Sequence, residues 1–459
     1  MSDNIVKLKA LGIGEAESAW MRESFYSDPK NRLAQNACVK QDFLEVCLDR
    51  TVTEKMTHRF NTKIDPEGKP MTNQKNSGRC WIFALLNIIR TPFMKKFNLE
   101  EFEFSQSYLF FCDKIERANY YLDAWVEMAK KGEAVDGRLM HHLLQNPSDD
   151  GGQWDMLVNL VNKYGLMPRQ CFPETFACQQ TFKMKRIVNN LLRKDCYILR
   201  KMVQDGKTDE EIHTKKSAML AKIYTVCGIC IGVPPENVVW EYYDKDKQYH
   251  AIGPITPLEF YRQHVQDIYN IDDKVCIVND PRPTNPYNKM YTVDYLNNMA
   301  GSNIVLYNNQ PIEVLRKLAM ESIKSNEAVW FGCDVGKHFC RSSGLLDTNA
   351  HDFKLLFGAD PLLLSKADRL IYGEMFMTHA MTFTGVNLEG EKTLKWRVEN
   401  SWGDDIGDKG YLIMSDDWFS DFVLEVVVDK KFVPTEILEV NKEKPVVLPA
   451  WDPMGSLAQ

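Results

Sequence analysis

A run of nine almost entirely apolar residues, 81–89 (Trp-Ile-Phe-Ala-Leu-Leu-Asn-Ile-Ile), constrains the fold more than any other feature. Because it is apolar on nearly every face, it predicts a buried helix, with residues 76–78 (Asn-Ser-Gly) supplying cap and turn chemistry at its start. Cys80 is then expected in the first turn, where unpaired N–H groups and the helix dipole lower a thiol pKa. Taken alone, Cys80 is more often a small buried cysteine than a nucleophile.

An amide side chain lies six residues before this cysteine. Gln74 can present its N–H₂ group beside the backbone N–H of Cys80. Two such donors stabilise the oxygen that becomes negative when a thiolate attacks a carbonyl. The segment therefore predicts a nucleophile together with its oxyanion site.

Two further polar residues lie on downstream segments that are predicted to be strands. His379 begins the run 378–386, which is rich in β-branched and aromatic residues, and Asn400 ends the run 395–400. A cysteine nucleophile needs a base, and the base needs a third group that fixes its orientation. Alone, His379 is more often a hydrogen-bonded core residue and Asn400 a turn former. Their joint occurrence with Gln74 and Cys80 favours a catalytic set.

The order Gln…Cys-Trp, His, Asn-Ser-Trp-Gly resembles the papain-like cysteine peptidases. More of the chain, from about residue 35 to the end, resembles the cytosolic bleomycin hydrolase branch of that family, in the segments 70–81, 101–111, 279–283, 330–337 and 449–455. One departure from secreted relatives is informative. The cysteine usually found three residues before the nucleophile is Ser77 here, which indicates a chain built without disulfides.

The resemblance implies a fold and a set of roles. The fold is α+β, papain-like and two-lobed, with a helical half, an antiparallel β half, a helical insertion, and N- and C-terminal arms. Cys80 is the nucleophile, His379 the general acid and base, Asn400 the orienter and Gln74 the oxyanion donor. The substrate-contacting residues implied are Gly151, Gly152, Trp402, Ala458 and Gln459. Trp402 is expected to shield the bond between His379 and Asn400.

The same resemblance implies an activity. The C-terminal arm is expected to lie in the active-site cleft, where its terminal carboxylate limits substrates to peptides with a free N-terminus. The chain would then be a cysteine aminopeptidase that also hydrolyses the carboxamide of bleomycin-like compounds. A homohexameric ring is implied too, and Gln459 is expected to be removable by self-processing.

The spacing of the motifs predicts the domain organisation. Cys80 and His379 are 379 − 80 = 299 positions apart, whereas papain-like enzymes separate them by ~130–150. An insertion in a surface loop accommodates the difference. The predicted parts are an arm (1–60), the helical half (61–180), a helical insertion (181–270), the β-rich half (271–440) and an arm reaching the active site (441–459).

Composition limits the compartment and partners. Twelve irregularly spaced cysteines favour reduced thiols, and no leader or membrane-spanning run is present, so a cytoplasmic protein without a membrane partner is expected. The net charge of −7 does not favour nucleic acid, although basic clusters at 183–186, 193–194, 215–216 and 430–431 leave that partner open. Neither Cys227–Cys230 nor His141–His142 has the spacing of a metal site, so no metal or cofactor is predicted.

Two alternatives remain. A silent ring-forming scaffold, or a nucleic-acid-binding homologue, would keep the fold without the chemistry. It has no chemical reason to retain all four catalytic residue types. A transglutaminase-like acyltransferase uses a similar cysteine and histidine with an aspartate, so Asn400 disfavours it.

Overall fold

The structure is a computed structural model that describes residues 12–361 and 363–457. Helices and strands both contribute, as the α+β prediction requires. The helices are Glu15–Ser27, Pro29–Cys38, Phe43–Val46, Arg50–Thr53, Cys80–Lys96, Gln106–Lys130, Arg138–Gln145, Trp154–Tyr164, Phe176–Gln179, Phe182–Gln204, Asp209–Ile231, Pro257–Phe260, Ile312–Lys324, Phe353–Phe357, Lys366–Ile371, Asp416–Phe422 and Thr435–Val440.

Twelve strands form one sheet and two form a separate hairpin. The strands are β1 (Thr62–Lys63), β2 (Val238–Tyr243), β3 (Tyr249–Ile255), β4 (Lys274–Val278), β5 (Lys289–Val293), β6 (Tyr307–Asn309), β7 (Val329–Cys333), β8 (Phe339–Cys340), β9 (Leu345–Leu346), β10 (His379–Glu389), β11 (Lys392–Glu399), β12 (Tyr411–Ser415), β13 (Val423–Asp429) and β14 (Val446–Leu448). The large sheet has the order β14-β5-β6-β4-β13-β7-β10-β11-β12-β9-β8, with β1 beside β10.

The centre of this sheet is antiparallel, as predicted for the β half. β10 pairs antiparallel with both β7 and β11, and β13 pairs antiparallel with β4 and β7. The flanks differ from the prediction, because β14 with β5, β4 with β6, and β12 with β9 are parallel pairs. The sheet is therefore mixed.

The apolar run lies in the Cys80–Lys96 helix, which is buried along nearly its whole length. The helix is bonded to the sheet, because Trp330 Nε1 donates to the carbonyl of Trp81 at 3.2 Å and Thr382 Oγ1 donates to that of Ala84, also at 3.2 Å. The buried helix is thus confirmed. The expected cap is wrong, since the capping position is Arg79 and no side chain caps the helix.

The predicted insertion is not helical throughout, because a hairpin lies between its two long helices and the short helix Pro257–Phe260. Two helices of 23 residues each, Phe182–Gln204 and Asp209–Ile231, are followed by the β2–β3 hairpin. Trp240 of the hairpin is buried against aromatic rings such as Phe102 and Phe97. The boundaries predicted for this unit, 181 and 270, remain a proposal about how the chain is divided into domains.

The cysteines of the described structure form neither disulfides nor part of a metal-binding cluster. All twelve cysteines are free thiols. Among residues 12–361 and 363–457, no group of three or more His, Cys, Asp and Glu side chains could hold a metal ion. Cys227 and Cys230 lie on the Asp209–Ile231 helix, with Cys227 fully buried.

The two arms behave differently. The Glu15–Ser27 helix buries none of its residues. By contrast, β14 of the C-terminal arm joins the sheet beside β5. No helix within the described part of the chain is long and apolar enough to cross a membrane.

Candidate active site

Adjacent strands bring His379 and Asn400 together. His379 is the first residue of β10, and Asn400 directly follows β11, its antiparallel partner. His379 Nε2 lies 2.9 Å from Asn400 Oδ1, and both side chains are buried. Asn400 Oδ1 also accepts from the backbone N–H of Ser401 at 2.8 Å. Because that oxygen is an acceptor, Nε2 carries the hydrogen in their bond, which leaves Nδ1 for proton exchange.

Cys80 is the first residue of its helix and is fully buried. Its sulfur accepts from the backbone N–H of Ala380, the residue after His379, at 3.4 Å. Burial raises the pKa of the Cys80 thiol to about 12, although the N–H groups of Ala380, Trp81 and Cys80 itself act in the opposite direction. Burial thus opposes the lowering that was expected for a helix-start thiol, and it is the larger of the two effects.

Gln74 is held against the segment that follows Asn400. Its backbone N–H donates to the carbonyl of Ser401 at 2.8 Å, and its Oε1 accepts from Ser401 Oγ at 2.6 Å. Its Nε2 donates one hydrogen to the carbonyl of Ser77 at 2.6 Å. The two side-chain bonds hold the amide plane, and Nε2 keeps a second hydrogen for another acceptor. Sequence reasoning missed Ser401, although it lies within the Asn-Ser-Trp-Gly motif.

Trp402 covers the histidine. Its ring centre lies 4.8 Å from that of His379, with the planes inclined at 32°. The same segment ties the two halves together, since Trp402 pairs with Asn73 in an antiparallel bridge and Gly403 N–H donates to Thr72 O at 2.9 Å. This position is suited to shielding the bond between His379 and Asn400 from water.

The two glycines before the Trp154–Tyr164 helix differ in role. A Cβ on Gly152 would lie 2.5 Å from the ring of Trp81, so only glycine lets the chain pass that close. Gly151 already has internal partners: its N–H donates to Asp149 Oδ1 at 3.1 Å and its carbonyl accepts from Arg117 at 2.8 Å. Gly151 thus shapes the turn, and Gly152 is the better candidate for pairing with a substrate backbone.

The C-terminal arm reaches both sides of the site. Gln153 Nε2, next to Gly152, donates to the carbonyl of Ser456 at 2.7 Å. Ser456 Oγ donates to the carbonyl of Met377, two residues before His379, at 2.8 Å. Residue 456 therefore bridges the two walls. The predicted substrate contacts Ala458 and Gln459 lie outside the described residues.

A buried ion pair lies directly before Cys80. Arg79, directly before the nucleophile, donates to both carboxylate oxygens of Glu174 at 2.8 Å and to Ser77 Oγ at 3.0 Å. Burial alone would raise the pKa of Glu174, but Arg79 and Ser107 hold it below its usual value. No local sequence pattern indicates this pair, because its members are 95 positions apart.

The chain is similar to known proteins over nearly its whole length. The model of the Peptidase C1-like family matches residues 13–455. Bleomycin hydrolase of Mus musculus is 55% identical over 98% of this chain and 99% of that protein. Aminopeptidase C of Lactococcus lactis subsp. cremoris is 39% identical over 95% of this chain and 97% of its own length. The crystal structure of pepw from Lactobacillus rhamnosis superposes with a TM-score of 0.93 at 40% identity, covering 98% of this chain and 100% of that one.

These matches extend through all of the segments that form the site, and the fold agrees with them. Short contacts link the residue types expected of a papain-like peptidase or their chain neighbours: His379 to Asn400, Ala380 to Cys80, and Ser401 to Gln74. The chain therefore belongs to the Peptidase C1-like family, in its bleomycin hydrolase branch, and is a papain-like cysteine aminopeptidase.

Proposed function

We propose that Cys80, His379, Asn400 and Gln74 carry out peptide hydrolysis at the N-terminus of substrates. The observation that carries this proposal is that His379 and its neighbour Ala380, at the start of β10, contact Asn400 and Cys80. His379 is bonded to Asn400 at 2.9 Å, while the next residue, Ala380, donates to the sulfur of Cys80 at 3.4 Å. The base is thus one residue of this strand, and the next residue of the same strand contacts the nucleophile.

The first step is a proton transfer within the buried site. Because burial raises the pKa of Cys80 to about 12, a lone thiolate is unfavourable there. Transfer of the sulfur's proton to Nδ1 of His379 creates two opposite charges together, which a desolvated site tolerates better than one. Asn400 accepts from Nε2 in both protonation states and keeps the ring oriented.

The thiolate then attacks the substrate carbonyl. The negative oxygen receives hydrogen bonds from Gln74 Nε2 and from the backbone N–H of Cys80, which as the first residue of a helix has no partner within it. His379 gives its Nδ1 proton to the leaving amine, and an acyl-enzyme remains on Cys80. His379 next takes a proton from water, and the resulting hydroxide attacks the acyl carbonyl. The bond between sulfur and the acyl carbon then breaks, the carboxylic acid leaves, and the proton on His379 returns to the sulfur.

The C-terminal arm supports an aminopeptidase rather than an endopeptidase. The contacts of Ser456 with Gln153 and Met377 hold this part of the arm between the two walls of the cleft. A terminal carboxylate there would pair with a substrate's α-ammonium group and block longer chains. The proposal includes Ala458 and Gln459 in this role, and removal of Gln459 by the enzyme itself.

Three finer expectations belong to the same proposal. Hydrolysis of the bleomycin carboxamide is supported by the name of the relatives alone. Twelve free thiols are consistent with a reducing cytosol. The homohexamer is implied by the family resemblance, and the Glu15–Ser27 helix, which exposes large apolar side chains such as Trp20 at 65%, supports a contact with another chain.

The nucleic-acid alternative receives little support. Lys216 is paired with Asp123, and Lys431 is paired with Glu327. Arg193 donates to two backbone carbonyls, those of Leu144 and Gln145. These internal contacts reduce the charge that the basic clusters could offer to a phosphate backbone.

Hydrolysis of an aminoacyl fluorogenic amide, assayed with a reducing thiol present, tests the proposal. We expect turnover by the unaltered chain, loss of turnover in Cys80→Ser, and little change in Cys38→Ser, a matched control on an outlying helix. Retention of full activity by Cys80→Ser would refute the assigned nucleophile. Absence of turnover by the unaltered chain would favour the scaffold.

A further inference from the structure

An ion pair anchors the C-terminal arm at Asp452. The guanidinium of Arg282 donates to both oxygens of Asp452, at 2.8 and 3.1 Å, and to Asp280 at 2.7 and 2.9 Å. All three side chains are less than 10% exposed. Asn285 also donates to Asp280 at 2.7 Å. Arg282 and Asp280 are thus fixed to the body of the protein, and Asp452 is the member contributed by the arm.

Asp452 lies one turn before the part of the arm that enters the cleft. Its Oδ1 also accepts from the backbone N–H of Met454 at 2.9 Å, which starts the short turn Pro453–Gly455. Tyr307 donates to the carbonyl of Met454 at 3.0 Å. The next residue but one, Ser456, makes the two contacts with the cleft walls. A shift at Asp452 would therefore move the cleft contacts.

A cavity of about 370 Å³ lies behind this part of the arm. Residues 455–457 form one wall, and Tyr121, Leu143 and Leu296 are among the residues opposite. Arg117 and Asp149, which hold Gly151, also line it. The cavity therefore adjoins the glycine turn as well as the arm.

We propose that Arg282 and Asp452 are positioning residues that set the preference for free N-termini by keeping the arm docked. The proposal rests on the proposed role of the arm. A bidentate guanidinium–carboxylate pair that is shielded from water is geometrically specific and costly to break from one side. Losing it raises the population of chains whose arm has left the cleft, and such chains admit blocked or longer peptides through the adjoining cavity.

The decisive variant is Asp452→Asn, which keeps an oxygen to cap Met454 but loses the charge. We measure kcat/KM for an N-acetylated and an N-free peptide amide and take their ratio. The ratio is expected to rise at least about tenfold, which corresponds to a loss of about 1.4 kcal/mol in docking. The control is Glu443→Gln in the same arm. It breaks the exposed pair between Glu443 and Lys289 and is expected to leave the ratio unchanged.

Deletion of residues 454–459 distinguishes the proposed role of the arm from the proposed role of the Arg282–Asp452 pair. The deletion alone is expected to raise the ratio, and adding Asp452→Asn to the shortened chain is expected to change it no further. If the deletion leaves the ratio unchanged, the proposed role of the arm fails and this inference fails with it.

If the deletion raises the ratio but Asp452→Asn in the full chain does not, the inference alone is overturned. It is overturned as well if Asp452→Asn lowers both kcat/KM values equally, or if its effect persists in the shortened chain, because the residue would then act on the fold and not through the arm.

Discussion

At the scale of single residues, the catalytic side chains depend on neighbours that do no chemistry. Ser401 is the clearest case. Its carbonyl and hydroxyl both bind Gln74, so the residue after Asn400 orients the residue that is assigned to the oxyanion. The serine of the Asn-Ser-Trp-Gly motif thereby links the orienter of the base to the oxyanion site.

Ser401→Ala is expected to lower kcat by about tenfold with little change in KM, because the amide of Gln74 loses one of the bonds that hold its plane. The loss should be smaller than the ~10²–10³ expected for removing an oxyanion donor in Gln74→Ala. Steady-state kinetics of both variants and of the double variant check this. In the double variant the serine change should add almost nothing. Fully additive losses would mean that Ser401 acts elsewhere.

Glu425 gives a prediction about pH. This strand residue is buried, Cys276 donates to its Oε2 at 3.5 Å, and burial, with a smaller contribution from Asp155, raises its pKa to about 8. The folded state therefore binds a proton that the unfolded state has lost once the pH exceeds the ordinary glutamate value of ~4.3. The contribution of this carboxyl group to stability falls as the pH rises from there to about 8.

Glu425→Gln removes that titration. The free energy of unfolding in urea should then fall less between pH 5 and pH 8 than it does for the unaltered chain, and the variant should be the more stable of the two at pH 8. The exposed Glu443→Gln change should leave the slope as it was. An unchanged slope in Glu425→Gln would show that another group is responsible.

At the scale of secondary-structure elements, the buried pair of Arg79 and Glu174 fixes the start of the nucleophile helix. It joins the residue before Cys80 to the segment that precedes the insertion, and Ser107 Oγ adds a bond to Glu174 at 2.7 Å. This non-covalent link connects residue 79 to the rest of the helical half in a chain whose cysteines are all free.

Glu174→Gln should destabilise the protein by about 3–5 kcal/mol, because it leaves the guanidinium of Arg79 buried without its counter-charge. Replacing both residues by methionine should restore most of the loss, since a packed apolar pair avoids the desolvation cost. Thermal and urea unfolding measure both effects. Glu127→Gln, which breaks an exposed pair with Lys131, is the control and should cost nothing measurable. Equal losses in Glu174→Gln and the double variant would contradict this account.

The sequence predicted those elements whose signal is local. The buried helix was predictable from residues 81–89, and β10 with β11 from two runs that are joined by a tight turn at Gly390. The pairing of His379 with Asn400 follows from that hairpin. Two features were not predictable. The sequence predicts helix where the β2–β3 hairpin lies, and the parallel pairs of the sheet depend on distant segments. The pairs Gln74–Ser401 and Arg282–Asp452 likewise join positions 327 and 170 apart.

At the scale of the whole molecule, one chain supplies every residue of the proposed catalytic set, whereas one of its helices is left uncovered. Cys80, His379, Asn400 and Gln74 all come from one chain. The Glu15–Ser27 helix, however, buries nothing, and Trp20, Phe25 and Tyr26 on it are exposed. Large exposed aromatic side chains on one helix are typical of a protein–protein contact. A second copy of this chain is the occupant that the proposed ring requires.

Changing Trp20, Phe25 and Tyr26 together to serine should therefore lower the native mass toward the 53.1 kDa of a single chain. Turnover of a small aminoacyl amide should persist, because no catalytic residue is lost. Changing Glu17 and Arg22 of the same helix to alanine is the matched control and should leave the mass unchanged. Light scattering coupled to size-exclusion chromatography measures each variant. A native mass of 53.1 kDa for the unaltered chain would refute the ring, whereas an unchanged larger mass in the triple variant would show that another surface holds it together.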